Sequence, residues 1–252
     1  MSTPSVIKYS RHDGTADRLQ RWPDIPASEL ESGSPVQRGL EYFGDQKLGL
    51  TSGIWDCTPM VTHMGPYPVH EFMIVLEGSV TIRDAGGRDT TISAGESFIL
   101  PKGFVCQWRQ SEYMKKFYVI FDDPSGTAAA DPGALRILKL DADHDLRPSP
   151  PPAADLLIGP APEQYGHEWY EDPTGQWTVG VWGSSPYRRK AMPFPRHELM
   201  HLLSGSVTLT DPALGAQRFA AGDTFFVPMG ANVEWHSTEP VRKLYSIFIP
   251  KT

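Results

Sequence analysis

The stretch from Gly53 to Phe121 lies over the stretch from Gly180 to Phe248 without a gap, at a constant offset of 127 residues. Of the 69 aligned positions 25 are identical, which chance does not produce in an ungapped match. Self-similarity of this length means two copies of one folding unit, so the chain has two equivalent cores rather than one large one. Gly53, Trp55 and Pro59 fall on Gly180, Trp182 and Pro186, and His70, Glu71 and Met73 on His197, Glu198 and Met200. The run Gly78-Ser79-Val80-Thr81 repeats at Gly205, Gly95 at Gly222, and Pro101 with Gly103 at Pro228 with Gly230. Trp108, Lys116, Tyr118, Ile120 and Phe121 meet Trp235, Lys243, Tyr245, Ile247 and Phe248.

The offset extends backward, pairing Pro35 with Pro162, Gly39 with Gly166 and Glu41 with Glu168, so the copies start near residues 30 and 157. Between them lies a segment that opens with Gly, Ala and Pro and later carries Pro148 and Pro150 to Pro152, the composition of a linker or arm. Within it LRILKL reads as a strand, as VIKYS does near the N-terminus, and both are expected to pack on a barrel as arms. The expected domains are therefore 1–130, with the N-terminal arm, and 131–252, with the Pro-rich arm.

Inside each copy, short runs rich in Val, Ile, Phe and Thr are separated by Gly, Pro and Asp, the signature of antiparallel hairpins. FMIVLEGSVTIRDAGGRDTTI reads as strand, bend at Gly78, strand, turn at Ala-Gly-Gly and strand, and GESFILP and KKFYVIF supply two more. Helical periodicity is weak throughout. Closing such hairpins into barrels removes exposed edges, so the expected fold is all-β, with two tandem barrels.

Composition narrows the partners. A net charge of -7 opposes the basic field that phosphate binding needs, so a nucleic-acid partner is not expected. The opening MSTPSVIKYSRHDG lacks an apolar core, and no apolar run approaches a membrane span, which leads to the expectation of a cytoplasmic protein with no membrane partner. Cys57 and Cys106 are too few for a disulfide framework.

Two spacings resemble the cupin superfamily, and within it the family related to the ethanolamine-utilisation cupin (DUF861). The first motif, Glu, six residues, Gly, is matched by Glu71 with Gly78 and Glu198 with Gly205. The second, Gly, five residues, Pro-x-Gly, is matched by Gly95, Pro101 and Gly103 and by Gly222, Pro228 and Gly230. Gly53-Ile54-Trp55-Asp56, His70-Glu71-Phe72 and Lys116-Phe117-Tyr118 match the opening, middle and ending, with counterparts in the second copy. The resemblance implies two cupin (RmlC-like jelly-roll) β-barrels related by internal duplication, a bicupin. Duplication also resembles the ureidoglycine-processing bicupins, but the ligand residues those enzymes need are absent. Two fused copies mimic the dimer of single-domain relatives, so a monomer with pseudo-twofold symmetry or a homodimer is expected.

Many cupins hold a divalent metal with a His-x-His pair, the motif Glu and a His after Pro-x-Gly. Here the paired positions fall among Met64, Gly65, Pro66 and Tyr67 and among Ala191 to Phe194, and the last His is replaced by Cys106 and Val233. The second copy keeps only Glu198, too few donors for a stable site. The first keeps Glu71 and Cys106, with His63 nearby, a set whose imidazole, carboxylate and thiolate suit zinc or iron, with manganese and nickel as the other divalent alternatives. No cofactor is firmly expected, and a metal on His63, Glu71 and Cys106 stays an open alternative.

Strand alternation sorts the remaining side chains. If Glu71 faces inward so do Met73 and Val75, and in the second copy Met200 and Leu202 join Glu198, while His70, His197 and His201 face outward. Cys106 and Trp108 share a face, as do Val233 and Trp235, and Trp55, Lys116 and Tyr118 with Trp182, Lys243 and Tyr245 complete the expected linings. An apolar wall with a few convergent polar groups is the pattern of a small-molecule site. For the second barrel the plainer expectation is that Met200 and Trp235 fill it. A lone buried Glu71 beside an indole is expected to have a raised pKa and to act as acid or base, with Cys106 as a second candidate catalytic group. Three readings follow: proton transfer, elimination or deamination of a small polar metabolite; a non-catalytic sensor or carrier; and metal-dependent dioxygenase or lyase chemistry in the first barrel.

Overall fold

The computed structural model describes residues 4–11, 19–126 and 132–251. Part of the linker's Gly/Ala/Pro punctuation, at 127–131, and the first three residues lie outside the described residues. The described chain is built almost wholly of antiparallel strands, with three single-turn 3-10 segments.

The strands form two compact units. One holds Arg11–Leu140 with Asp172–Thr174, and the other holds Met1–Ser10, Asp141–Glu171 and Gly175–Thr252. Each unit is a pair of antiparallel sheets, seven strands with six in the first and seven with four in the second. The inward faces supply the core, centred on Met73, Ile82, Phe98 and Leu100 in the first unit and on Met200, Leu209, Phe219 and Phe225 in the second.

The expected hairpins are present at the expected places. His70–Glu77 bends at Gly78 into Ser79–Asp84, which turns into Asp89–Ser93, and Ser97–Leu100 and Met114–Phe121 supply the further strands. Gly78 and Gly205 sit in the left-handed region at φ 71° and 74°, a conformation glycine takes without steric cost. Cys57 and Cys106 are both buried and free.

The arms are allotted differently from the expected boundaries of 1–130 and 131–252. Ile7–Tyr9 pairs with Thr224–Val227 in the unit of the second copy, and Leu138–Lys139 pairs with Ser97–Leu100 in the unit of the first. The physical reason is the edge of each seven-stranded sheet: a strand flanked on one side only has unpaired backbone groups, and the arm satisfies them.

Candidate functional site

In each unit the motif strand pairs with the last strand and brings its Glu into the interior. In the first unit Met114–Phe121 lies between His70–Glu77 and Leu50–Cys57, placing Lys116 opposite Trp55, and Tyr118 opposite both Met73 and Gly53. Alternation then puts Glu71, Met73, Lys116 and Tyr118 on one inward face, as the sequence implies. The same register places Lys243 opposite Trp182 in the second unit.

Glu71 is not the lone acid that was expected. Lys116 Nζ donates to Glu71 Oε1 at 2.8 Å and contacts Met73 Sδ at 3.0 Å, while the Tyr67 hydroxyl donates to Glu71 Oε2. The ammonium sits over Trp55 and Trp108, 4.7 and 4.8 Å from the ring centroids, and the two indoles meet edge to face. A buried carboxylate and ammonium are each costly alone, and together with π faces they compensate one another. Burial first, then the Glu71 charge, holds the Tyr67 phenol well above its ordinary range, so it is a hydrogen-bond donor.

The second barrel repeats the arrangement with one exchange. Lys243 Nζ donates to Glu198 Oε1 at 2.7 Å, contacts Met200 Sδ at 3.2 Å and lies over Trp182 and Trp235. The second donor to the carboxylate is Arg196, whose Nε reaches Glu198 Oε2 at 2.8 Å. Burial alone raises the Glu198 carboxyl, but the Arg196 and Lys243 charges outweigh it and hold the group below its ordinary value. Burial does not raise this acid, because its two cationic partners compensate the buried charge.

Tyr67 is placed by the Pro-x-Gly corner. The Tyr67 amide donates to the Phe104 carbonyl and the Gly103 amide to the Tyr67 carbonyl, at 2.9 and 2.8 Å. Phe194, at the matching position, is held the same way by Ala231 and Gly230. The corner is fastened in turn by His70 and His197, whose Nδ1 atoms accept the Lys102 and Met229 amides at 3.1 and 3.2 Å. Both imidazoles are buried against phenyl rings.

A cavity of about 670 Å³ opens in the first barrel. Trp55, Glu71, Cys106, Trp108, Lys116 and Tyr118 all line it, so the structure gathers most of the expected pocket, with Met73 just behind Lys116. Sequence reasoning missed Tyr67, Trp22 and Gln37, which also line the cavity. Tyr67 stands four residues before Glu71 in a Pro-rich run with no periodicity to read, and the match of position 67 to Phe194 was its one available signal.

The second barrel is not filled, against expectation: a cavity of about 590 Å³ remains, lined by Trp182, Glu198, Met200, Trp235, Lys243 and Tyr245. The indoles of Trp182 and Trp235 meet edge to face at 6.0 Å and bracket the Lys243 ammonium, which leaves the lumen open. Arg189, Arg196 and Tyr187 in its wall went unremarked in the sequence.

His63, Glu71 and Cys106 line the same cavity, yet among the described residues no group of three or more His, Cys, Asp or Glu side chains is close enough to hold a metal ion. Both Glu71 oxygens are engaged, His63 is exposed, and burial pushes the Cys106 thiol up to about 12, away from the thiolate that a metal or an electrophile needs. This donor set does not fit a resident metal. Among the described residues no helix is long and apolar enough to cross a membrane.

A family model described as the EutQ-like cupin domain matches residues 46–118 and 171–245. No curated protein matches. Among solved structures the chain is similar to a protein of unknown function of the DUF861 family from Pseudomonas syringae pv. tomato, with 30% identity, 97% of this chain and 99% of that one covered, and a TM-score of 0.78. Ylba from E. coli, at 12% identity, covers 100% and 94% with a TM-score of 0.55, and a cupin 2 conserved barrel domain protein from Leptotrichia buccalis, at 8%, covers 92% and 98% with 0.54. These last two share the fold alone. The chain thus belongs to the family of EutQ-like cupin domains, of which it carries two copies in tandem.

Proposed function

We propose that the first barrel binds a small polar metabolite and that Glu71 serves as acid or base in a proton transfer, elimination or deamination of it. The observation that carries this reading is a connected polar chain, Tyr67 to Glu71 to Lys116, set in the wall of an otherwise aromatic cavity. Trp22, Trp55 and Trp108 offer faces to a planar or apolar body, while the chain offers donors to its polar end. Glu71 lines the cavity, so a ligand proton brought within hydrogen-bond reach of its carboxylate can be transferred to it and returned, while Tyr67 and Lys116 hold the carboxylate in place.

A second reading, a carrier or sensor without turnover, is favoured by one observation: both oxygens of Glu71 already have partners before any ligand arrives. A panel of single metabolites screened by melting shift, followed by product analysis of each binder, separates the two. Glu71→Gln is expected to lower turnover on the order of 100-fold while the fold is retained. Turnover unchanged in that variant ends the acid–base reading. Binding without product from any panel member supports the carrier instead.

A further inference from the structure

The two cavities differ in charge. The first holds Lys116 against Glu29 and Glu71. The second holds Arg189, Arg196 and Lys243 against Glu198, which is buried, and Glu168, which is exposed at the rim. At the repeat offset Arg189 stands where the first copy has Thr62 and Arg196 where it has Val69, so the added cations belong to the second barrel alone. Glu198 is shared between Lys243 and Arg196, which leaves one buried carboxylate among three cations.

The donors of these cations are not used up. Arg196 spends its Nε on Glu198, and its two terminal nitrogens have no acceptor among the described residues. Arg189 gives one terminal nitrogen to the Val233 carbonyl at 3.2 Å, and its buried Nε has no partner. Ser149, in the same wall, also has a buried hydroxyl without a partner. The two guanidinium groups lie over the one Phe194 ring, 5.7 and 5.5 Å from its centroid, so both are held at one place despite their like charge. A buried Arg189 nitrogen without an acceptor, beside the partly exposed guanidinium of Arg196, calls for an acceptor that carries negative charge.

We propose that the cavity of the second barrel is a binding site for a small organic carboxylate, gripped by Arg189 and Arg196. Planar guanidinium forks match the two oxygens of a carboxylate, and the remaining Ser149 hydroxyl supplies a neutral donor. Tyr187 and Trp235, stacked at 5.7 Å in the wall, together with Met192, cover the carbon body of the ligand, which inorganic anions lack. This site is independent of the acid–base reading of the first barrel.

The test is calorimetric titration of the full chain with malonate, with inorganic phosphate and ethylammonium as separate probes. Malonate is expected to bind, phosphate to bind more weakly, and ethylammonium not at all. Arg189→Gln is expected to weaken malonate by about tenfold or more, and Tyr67→Phe, in the other barrel, to leave it unchanged. Arg189 makes no bond to Glu198, so its replacement leaves the Glu198 pair in place, and a melting curve like that of the wild type confirms that the variant is folded. No malonate binding to the wild type, equal binding by Arg189→Gln, loss in Tyr67→Phe, or phosphate binding as tightly as malonate each overturns the proposal.

Discussion

Glu71 and Glu198 are only 4% and 1% exposed, and ions so deeply placed survive only beside partners that replace water. Lys116 and Lys243 are those partners, and the indoles over them complete the shell. Removing one member strands the other: Lys116→Met is expected to cost about 3 kcal/mol, read from denaturant midpoints. The double variant Glu71→Leu with Lys116→Met regains most of that loss, since an apolar pair needs no compensation. A double variant no more stable than the single one argues against the pairing. His70 carries a second prediction. Burial, outweighing the nearby Asp172, Asp122 and Asp123 charges, holds its pKa below the ordinary 6.5. An unfolded chain takes up that proton at higher pH than the folded one, so stability is complete above 6.5 and declines as pH falls below it. His70→Asn, which keeps an acceptor for the Lys102 amide, is expected to flatten the decline in urea midpoints. Glu198 acts in the same sense further into acid, since its contribution is present above 4.5 and is lost as pH falls through its lower folded value.

Among the elements, the Glu-to-Gly and Pro-x-Gly spacings that recur in both copies each have a mechanical task. Gly78 turns one strand into the next where a Cβ would collide with the Tyr113 carbonyl, as one at Gly205 would with the Pro240 carbonyl. Gly78→Ala is therefore expected to destabilise by at least about 2 kcal/mol, combining left-handed strain with that clash, and a thermal midpoint unchanged from wild type would refute the assigned turn. The Pro-x-Gly corner holds Tyr67 or Phe194 by two backbone bonds, which explains why its spacing repeats although the residue it positions differs. Much of this was legible beforehand. The strand alternation that places Glu71, Met73, Lys116 and Tyr118 on one face follows from a period of two and needs no coordinates. Tyr67, Arg189 and Arg196 were not legible as site residues. Two lie in or beside Pro-rich runs without period, the third in a bulged strand, and their directions are set by tertiary contacts with the corner and with Phe194. The exchange of arms was equally hidden, because a short strand such as Ile7–Tyr9 fits either sheet edge until both edges exist.

Over the whole chain, duplication has kept the Glu–Lys pair and its two indoles while changing what surrounds them. Tyr67 and Cys106 give the first interior neutral donors, and Arg189 and Arg196 give the second an excess of positive charge. Among the described residues neither interior groups three or more His, Cys, Asp or Glu side chains around one point, so dialysis against a chelator is expected to leave the melting temperature and metabolite binding unchanged; a fall in either on metal removal would contradict the donor assignment. The most direct test of the central claim is a crystal structure of the full chain with the tightest-binding metabolite of the panel whose binding Arg189→Gln leaves unchanged. The expected result is the ligand in the first barrel, its polar end about 2.6–3.2 Å from Tyr67 or Lys116 and its body against Trp55 or Trp108. A ligand bound elsewhere, with the first cavity left to solvent, would contradict it.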